Sequence, residues 1–321
     1  MSDKQIGTLR VYGCGGMGTN VASYFNGAGV EPGTAAIEAV YIDTSRSNLK
    51  EGLAEDDVYI LPNVDGSGKI RKENYQEISN VIKQILLEFV PGDFNVVVFS
   101  ASGGSGSVIG PLLLGELLNR GLSAVCMVVG SDESILTAEN TLKTLKSLEA
   151  IAKSSKLPVV MRYEHNDRRR SEVDNQIRLA ISALAILASK QNRELDSADI
   201  ANWVQFSKTT SVAPQLSMLE IFADVDSANE VKDPISVASI FKDEDGGRLQ
   251  AIPEYHAAGY TNQASGDVSE LHFVISIDDV PGIFGNIKKT LDQYSSQRDG
   301  RVKQASILDA NDVTTDDGLV L

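Results

Sequence analysis

The stretch LRVYGCGGMGTNVASYF, residues 9–25, runs from a short apolar segment into an apolar helical pattern through Gly13, Gly15, Gly16 and Gly18. Glycine loops between a strand and a helix bind phosphate for a physical reason. Without Cβ the backbone approaches the oxygens, while successive N–H groups and the helix N-terminus supply positive potential. Read strictly, Gly13, Gly15 and Gly18 satisfy G-x-G-x-x-G, and Asp43 closes the next apolar run, AVYID. That is the dinucleotide fingerprint, and by itself it offers the alternative of an NAD(P)-dependent oxidoreductase. One such loop is a weak signal.

A second loop changes the balance. FSASGGSGSVIG, residues 99–110, follows the β-branched run FNVVVFS and leads directly into a helical pattern. Gly103, Gly104 and Gly106 alternate there with the hydroxyls of Ser102, Ser105 and Ser107. A dinucleotide domain needs one glycine loop for its pyrophosphate. Two loops at neighbouring strand ends wrap a longer and more negative polyphosphate from both sides. A serine–glycine stretch is otherwise a flexible connection, but this one sits tightly between a core strand and a helix. A Walker A loop is absent: DGSGKI, residues 65–70, offers Gly68 and Lys69 with neither Ser nor Thr next.

Outward from these loops, strand and helix patterns alternate. TLRVYG, AAIEAVYID, FNVVVFS, LSAVCMVVG and LPVVMRY read as strands, and the run FNVVVFS is apolar enough to be buried on both faces. Helical patterns lie between them: from about Met17, then NYQEISNVIKQILLEFV, SVIGPLLLGELLN and ILTAENTLKTLKSLEAIAK. This alternation predicts a doubly wound, mostly parallel α/β nucleotide-binding domain over residues 1–170, with ligand loops at the strand carboxyl ends. A long helix, SEVDNQIRLAISALAILASKQN, then connects over 171–192, and its apolar circumference predicts burial between two layers. Residues 193–285 read as a smaller α+β domain containing the strands AIPEYHAAGYT and ELHFVISID. Residues 286–321 read as a C-terminal helix and an acidic tail.

Composition bounds the partners. The 321 residues carry a formal net charge of -15, with 42% hydrophobic and 23% charged residues. Such acidity argues against a protein that coats nucleic acid or an anionic membrane, so no direct nucleic-acid or membrane contact is expected. Cys14 and Cys126 read as reduced thiols, the opening MSDKQIGTLR lacks an apolar signal segment, and the expected compartment is cytoplasm. His165, His256 and His272 show no metal-ligand spacing, so no protein metal site is expected. Arg168 to Arg170 read as a solvated helix start.

GCGGMGTN followed by SGGSGS resembles the tubulin/FtsZ superfamily, and most of all the small tubulin-like GTPases of large bacteriophages. Ser105 stands where the superfamily signature has threonine, and Val108 where it ends in glycine. The resemblance implies a GTP/GDP site with Mg2+. It places Gly13, Cys14, Gly15, Gly16, Gly18 and Asn20 around the phosphates, Asp43 near the nucleotide, and Gly66 to Lys69 opposite the γ-phosphate. Ser102, Gly103, Gly104, Ser105, Gly106 and Ser107 become the main cradle. Glu139 becomes the ribose acid with Asn140 beside it, Asn166 borders the base, and Asn175 reads guanine, since an amide both donates and accepts. Taken alone, Asn175 reads more often as a solvent-facing polar helix residue.

Asp196 and Asp199, in RELDSADIANWV, are spaced to share the face of a starting helix turn. The residues alone read as an N-cap and a first-turn acid. The resemblance gives them a second use, orienting the attacking water in the next subunit's pocket, with Glu194 where that pattern carries asparagine. It further implies head-to-tail self-assembly into filaments, hydrolysis completed by the neighbour, and filaments that position phage DNA in the infected host's cytoplasm. The acidic strip of Asp309, Asp312, Asp316 and Asp317 would then grip an adjacent subunit, opposite a basic stretch of Lys288, Lys289, Arg298, Arg301 and Lys303. Without the resemblance, such a tail is a solubilising terminus.

Overall fold

The computed structural model describes residues 6–242, 247, 249–261 and 269–302. Among these, ten strands form one sheet. Third from one edge is β1 (Thr8–Cys14), flanked in parallel by β2 (Ala36–Asp43) and β4 (Phe94–Ser100). Beyond β2 lies the three-residue edge strand β3 (Val58–Ile60). Beyond β4 come β5 (Ala124–Gly130), β6 (Val159–His165) and β7 (Leu216–Phe222), all parallel. The sheet then turns antiparallel through β10 (Glu270–Ser276) and β8 (Ser236–Phe241), and closes on β9 (Tyr255–Tyr260), parallel to β8. The strands of the C-terminal half thus extend the sheet of the N-terminal half through the β6–β7 pairing. The outer edge of β9 is partly occupied, because the backbone of Tyr260 exchanges hydrogen bonds with that of Arg193.

Order β3-β2-β1-β4-β5-β6 reverses direction at β1, and a parallel sheet opens a crevice at such a reversal, beyond the carboxyl ends of the strands. Both glycine loops lie at that point: α1 (Gly15–Ala22) follows β1 and α3 (Gly106–Asn119) follows β4. The remaining helices are α2 (Tyr75–Glu88), α4 (Ile135–Ser155), α5 (Arg170–Leu187), α6 (Ser197–Val204), the single turn α7 (Val225–Ala228) and α8 (Val280–Val302).

Alternation along the buried strands sorts the core into two layers. Val96 and Val98 pack with α5 on one face, while Val97 and Phe99 pack with α2, α3 and α4 on the other. In the first layer Trp203 is fully buried, stacks on Phe94 and donates its Nε1–H to Phe273 O at 3.1 Å. One side chain of α6 thereby ties β4 to β10. Pro111 cannot donate to the carbonyl four residues earlier, that of Ser107. Arg71 Nη2 donates to that carbonyl instead, at 3.3 Å. The same buried guanidinium reaches Ser147 Oγ of α4, and burial holds its pKa below the usual arginine value.

Several expectations shift. The long helix stops at Leu187, five residues short of Asn192, because Lys190 turns left-handed (φ 59°) and Asn192 Nδ2 donates to the closing carbonyls of Ile186 and Leu187. Nor is it enclosed all round: Val173, Ile177, Ile181 and Leu184 face the core, while Leu179 is exposed along an apolar groove against Ile221 and Phe222. Strands β3, β7 and β8 and the turn α7 went unpredicted; the mixed sequences LSMLEIF and SVASIF give no clear period. The acidic tail lies outside the described residues, and none of the described helices is long and apolar enough to cross a membrane.

Candidate functional site

At the reversal point the carboxyl ends of β1, β2, β4 and β5 open into a cleft of about 810 Å³. Its floor is built where α1 meets α3. Gly15, at φ 69°, lies so close that an added Cβ would stand 2.6 Å from Gly106 N. Neither helix N-terminus is capped by a side chain, and neither carries an acid in its first turn. Two helix starts therefore aim unpaired N–H groups and positive dipole ends into one space, which is an anion site.

Three further loops close around them. Ser105 Oγ is hydrogen bonded to both Thr44 Oγ1 and Ser67 Oγ, which chains the β2 loop, the serine–glycine loop and the 66–69 loop together. Gly104 allows this approach, since a Cβ there would collide with Ser67 Oγ at 1.9 Å. The 66–69 loop is left-handed at Gly66, Gly68 and Lys69. Asn140, on α4 and buried, clamps it: Nδ2 donates to Lys69 O at 2.8 Å and to Ser102 O at 3.1 Å.

Of the expected residues, Cys14, Gly15, Gly16, Asn20, Asp43, Gly68, Lys69, Ser102, Gly103, Gly104, Ser105, Gly106 and Asn166 line the cleft. Six do not. Gly13 and Gly18 face the packing of α1 on the sheet, where Cβ atoms would meet Gly18 O at 2.6 Å and Val98 O at 2.1 Å. Ser107 turns inward and donates to Gly103 O and Gly104 O. Asn140 works behind the wall as the clamp, and Glu139 pairs with Lys143 on the surface. Asn175 accepts from Arg178, off the wall. The cleft face of α5 is Arg170, Val173 and Asp174, and Asn175 lies about 100° further round. Asp174 is half-buried, which raises its pKa, and its Oδ2 accepts from Asn20 Nδ2 at 2.8 Å.

Asp43 is buried, and both carboxylate oxygens are engaged: Oδ1 accepts from Thr44 N and Oδ2 from Asn48 Nδ2. Desolvation raises its pKa against those hydrogen bonds. Committed inward in this way, it is a poor ribose acid for NAD. Cys14 is fully buried, and burial pushes its thiol far up, so it is no nucleophile. Thr44, Asn48, Asp65, Ser131, Glu133 and Thr137, none expected from the sequence, also line the cleft, as does Arg170, read there only as part of a solvated helix start. The phase of the buried positions Val173, Ile177 and Ile181 was the available signal for Arg170 and Asp174.

Asp196 and Asp199 sit elsewhere. They form a reciprocal capping box at the start of α6: Asp196 Oδ1 accepts from Ala198 N and Asp199 N, and Asp199 Oδ2 accepts from Asp196 N at 3.0 Å. Asp196 is exposed and Asp199 half-buried, its Oδ1 accepting from Tyr255 OH at 3.3 Å, beside Lys190 and Glu194. Lys190 Nζ donates to Asp93 just before β4, and Gly7 N just before β1 donates to Ser189 O. This rim is therefore at the amino ends of the strands that open the cleft at their carboxyl ends. Helix α5, eighteen residues and about 27 Å long, separates the two.

Residues 195–278 match the family model described as "Phage tubulin-like protein, C-terminal domain". A phage tubulin-like protein of Pseudomonas phage phiKZ is 31% identical over 97% of both chains. The chain belongs to the phage tubulin-like family. A second phage tubulin-like protein, of Pseudomonas phage PhiPA3, is 32% identical over 97% of this chain and 98% of its own. Among solved structures, a protofilament of TubZ from bacteriophage PhiKZ superposes with a TM-score of 0.89 at 31% identity, covering 99% of this chain and all of that one. A phage tubulin PhuZ solved with GDP gives 0.87 at 29% identity over the same shares. The phage tubulin-like fold accounts for the Rossmann-like half-match of the first loop: strand order and glycine turn are shared, the ligand loops are not.

Proposed function

We propose that this chain is a GTPase that assembles head to tail into filaments, each subunit's nucleotide being hydrolysed with help from the next. The observation that carries this reading is the separation between the cleft and the Asp196/Asp199 rim, at opposite ends of the same strands. No single copy brings them together; a second copy stacked along the strand direction does. A relative solved as a protofilament and another solved with GDP support the same reading.

In this scheme the uncapped starts of α1 and α3 hold the polyphosphate, and the clamped 66–69 loop faces its outer end. At the far side of the cleft Asp174 accepts from guanine N1–H and N2–H, a donor pair that adenine lacks. Residues suited to Mg2+ fit its habits. No cluster of three or more ligating side chains occurs among the described residues, and Asp65 on the wall offers one carboxylate to a cation otherwise held by phosphate and water. Bound Mg2+ would neutralise phosphate charge. Asp196 and Asp199 of the neighbour orient the attacking water, so positioning and electrostatics carry the reaction.

The acidic strip after Leu308 grips the basic stretch of an adjacent subunit. In the cytoplasm of the infected host the filament positions phage DNA, with any DNA contact indirect. Light scattering and phosphate release on adding GTP, with NAD as control, check the whole scheme. Turnover per subunit climbs above a threshold protein concentration, and deleting the residues after Leu308 raises that threshold and its salt dependence. Turnover independent of concentration would overturn it.

A further inference from the structure

One wall of the cleft is the short connection from β5 to α4. Ser131 and Glu133 face the cleft, and Asn166 Nδ2 donates to Glu133 Oε1 at 2.9 Å across it. Asp132, between them, turns outward. Its Oδ1 is hydrogen bonded to His165 Nε2 at 3.0 Å, and the ring's Nδ1 to Tyr163 OH at 3.0 Å. Two donors arrive from α8: Thr290 Oγ1 to Asp132 Oδ2 at 3.1 Å, and Tyr294 OH to Asp132 O at 3.0 Å. These positions are one helical turn apart, so α8 grips both the side chain and the backbone of a single residue. The hydrogen bond from His165 is the largest influence keeping the Asp132 carboxyl below its ordinary range, with Thr290 adding to it, so the acceptor stays ionised for all its donors.

We infer that Thr290 and Tyr294 are positioning residues for the nucleotide site, holding the wall formed by Ser131 and Glu133 in its binding geometry through Asp132. The inference deepens the guanine-nucleotide reading above and rests on it. The wall connection is anchored at its two ends: Ser131 N donates to Thr141 Oγ1 at 3.2 Å, Thr141 Oγ1 donates back to Ser131 O, Glu133 N donates to Ser131 Oγ, and Ser134 opens the capping box of α4. Asp132 lies between those two ends, where α8 holds its Oδ2 and its carbonyl while His165 holds its Oδ1, so the grip from α8 adds to what sets how the intervening residues present themselves. By linkage, a ligand that orders this wall must tighten α8 to the same extent that α8 tightens the ligand. The helix that leads into the C-terminal residues is thus informed of whether the cleft is filled.

The experiment compares the full chain with its Thr290→Val/Tyr294→Phe variant, which keeps side-chain shape and removes both donors. Titration with a fluorescent GDP analogue is expected to show affinity about fivefold weaker or more in the variant. Amide exchange in residues 286–296 is expected to slow on adding GDP in the parent chain and to lose that response in the variant, while thermal unfolding stays cooperative. A merely structural role for the two residues would leave the GDP-dependent exchange intact. Equal affinity in both proteins, with exchange in α8 indifferent to GDP, overturns this inference alone. A parent chain that binds no guanine nucleotide overturns the functional reading, and this inference with it.

Discussion

Gly15 and Gly106 meet backbone to backbone: a Cβ on the first would lie 2.6 Å from the nitrogen of the second, and a Cβ on the second 2.6 Å from Cys14 O. Two helix N-termini from strands on either side of the reversal point are thereby brought to one spot. Gly15 also sits at φ 69°, where an L side chain costs roughly 1–2 kcal/mol. Gly15→Ala is expected to push α1 and α3 apart and weaken nucleotide binding about tenfold or more. Equilibrium titration with a fluorescent guanine nucleotide checks this, and the polar surface variant Lys83→Gln on α2 serves as control.

Because Asp196 and Asp199 cap α6, alanine at either position confuses lost chemistry with lost stability, about 1 kcal/mol for the cap alone. Asp196→Ser and Asp199→Gln keep the reciprocal hydrogen bonds and remove the charges. Both variants are expected to melt close to the parent chain, bind GTP normally and assemble, while phosphate release in filaments falls about a hundredfold or more. Undiminished release would show that these acids serve the helix alone.

On α5 the geometry separates neighbours in sequence. Asp174→Ala is expected to weaken GTP binding about tenfold or more, removing a carboxyl acceptor from the cleft wall. Asn175→Ala is expected to leave affinity within about twofold, since that side chain meets Arg178 off the wall. Competition titrations with GTP and ATP on both variants read the difference, and the Asp174 variant should also lose discrimination between the two bases.

His272 is fully buried, with Nδ1 hydrogen bonded to Ser239 Oγ and Nε2 without a hydrogen-bond partner, 3.6 Å from Glu270 Oε2. Desolvation lowers its pKa from the ordinary 6.5, outweighing the opposite pull of Glu270. With the folded value below the unfolded one, the unfolded chain takes up the proton first. The contribution of the neutral ring is complete above about pH 6.5 and is lost as pH falls through the depressed folded value. Thermal melts from pH 8 to pH 5 should show Tm level at the alkaline end and dropping below about pH 6.5. In His272→Gln that drop should shrink toward what the carboxylates and His256, whose pKa burial also lowers, produce.

The parts of the fold legible in the sequence were those set by local chemistry. Glycine spacing located both helix starts, and continuous β-branched runs located the buried strands β4 and β5. The acids of α6 were equally visible as a capping pair. What escaped was set at a distance. Asn140 clamps carbonyls 71 and 38 residues away, and nothing in TAENTLK announces which carbonyls those are. The choice between Asp174 and Asn175 turns on the rotation of α5, which its core contacts fix. Gly13 and Gly18 belong to the glycine pattern but serve packing, because motif spacing does not say which face of the turn each residue takes.

The outer strands of the sheet are both blunted: β3 has three residues, and the far end of β9 is already engaged by Arg193, with Leu195 pressed against Gly259. Exposed edges invite copies to zip together into broad, irregular aggregates. With one flank short and the other partly covered, side-by-side fusion of sheets between copies is discouraged, which leaves contacts along the strand direction as the less hindered route for copies to meet.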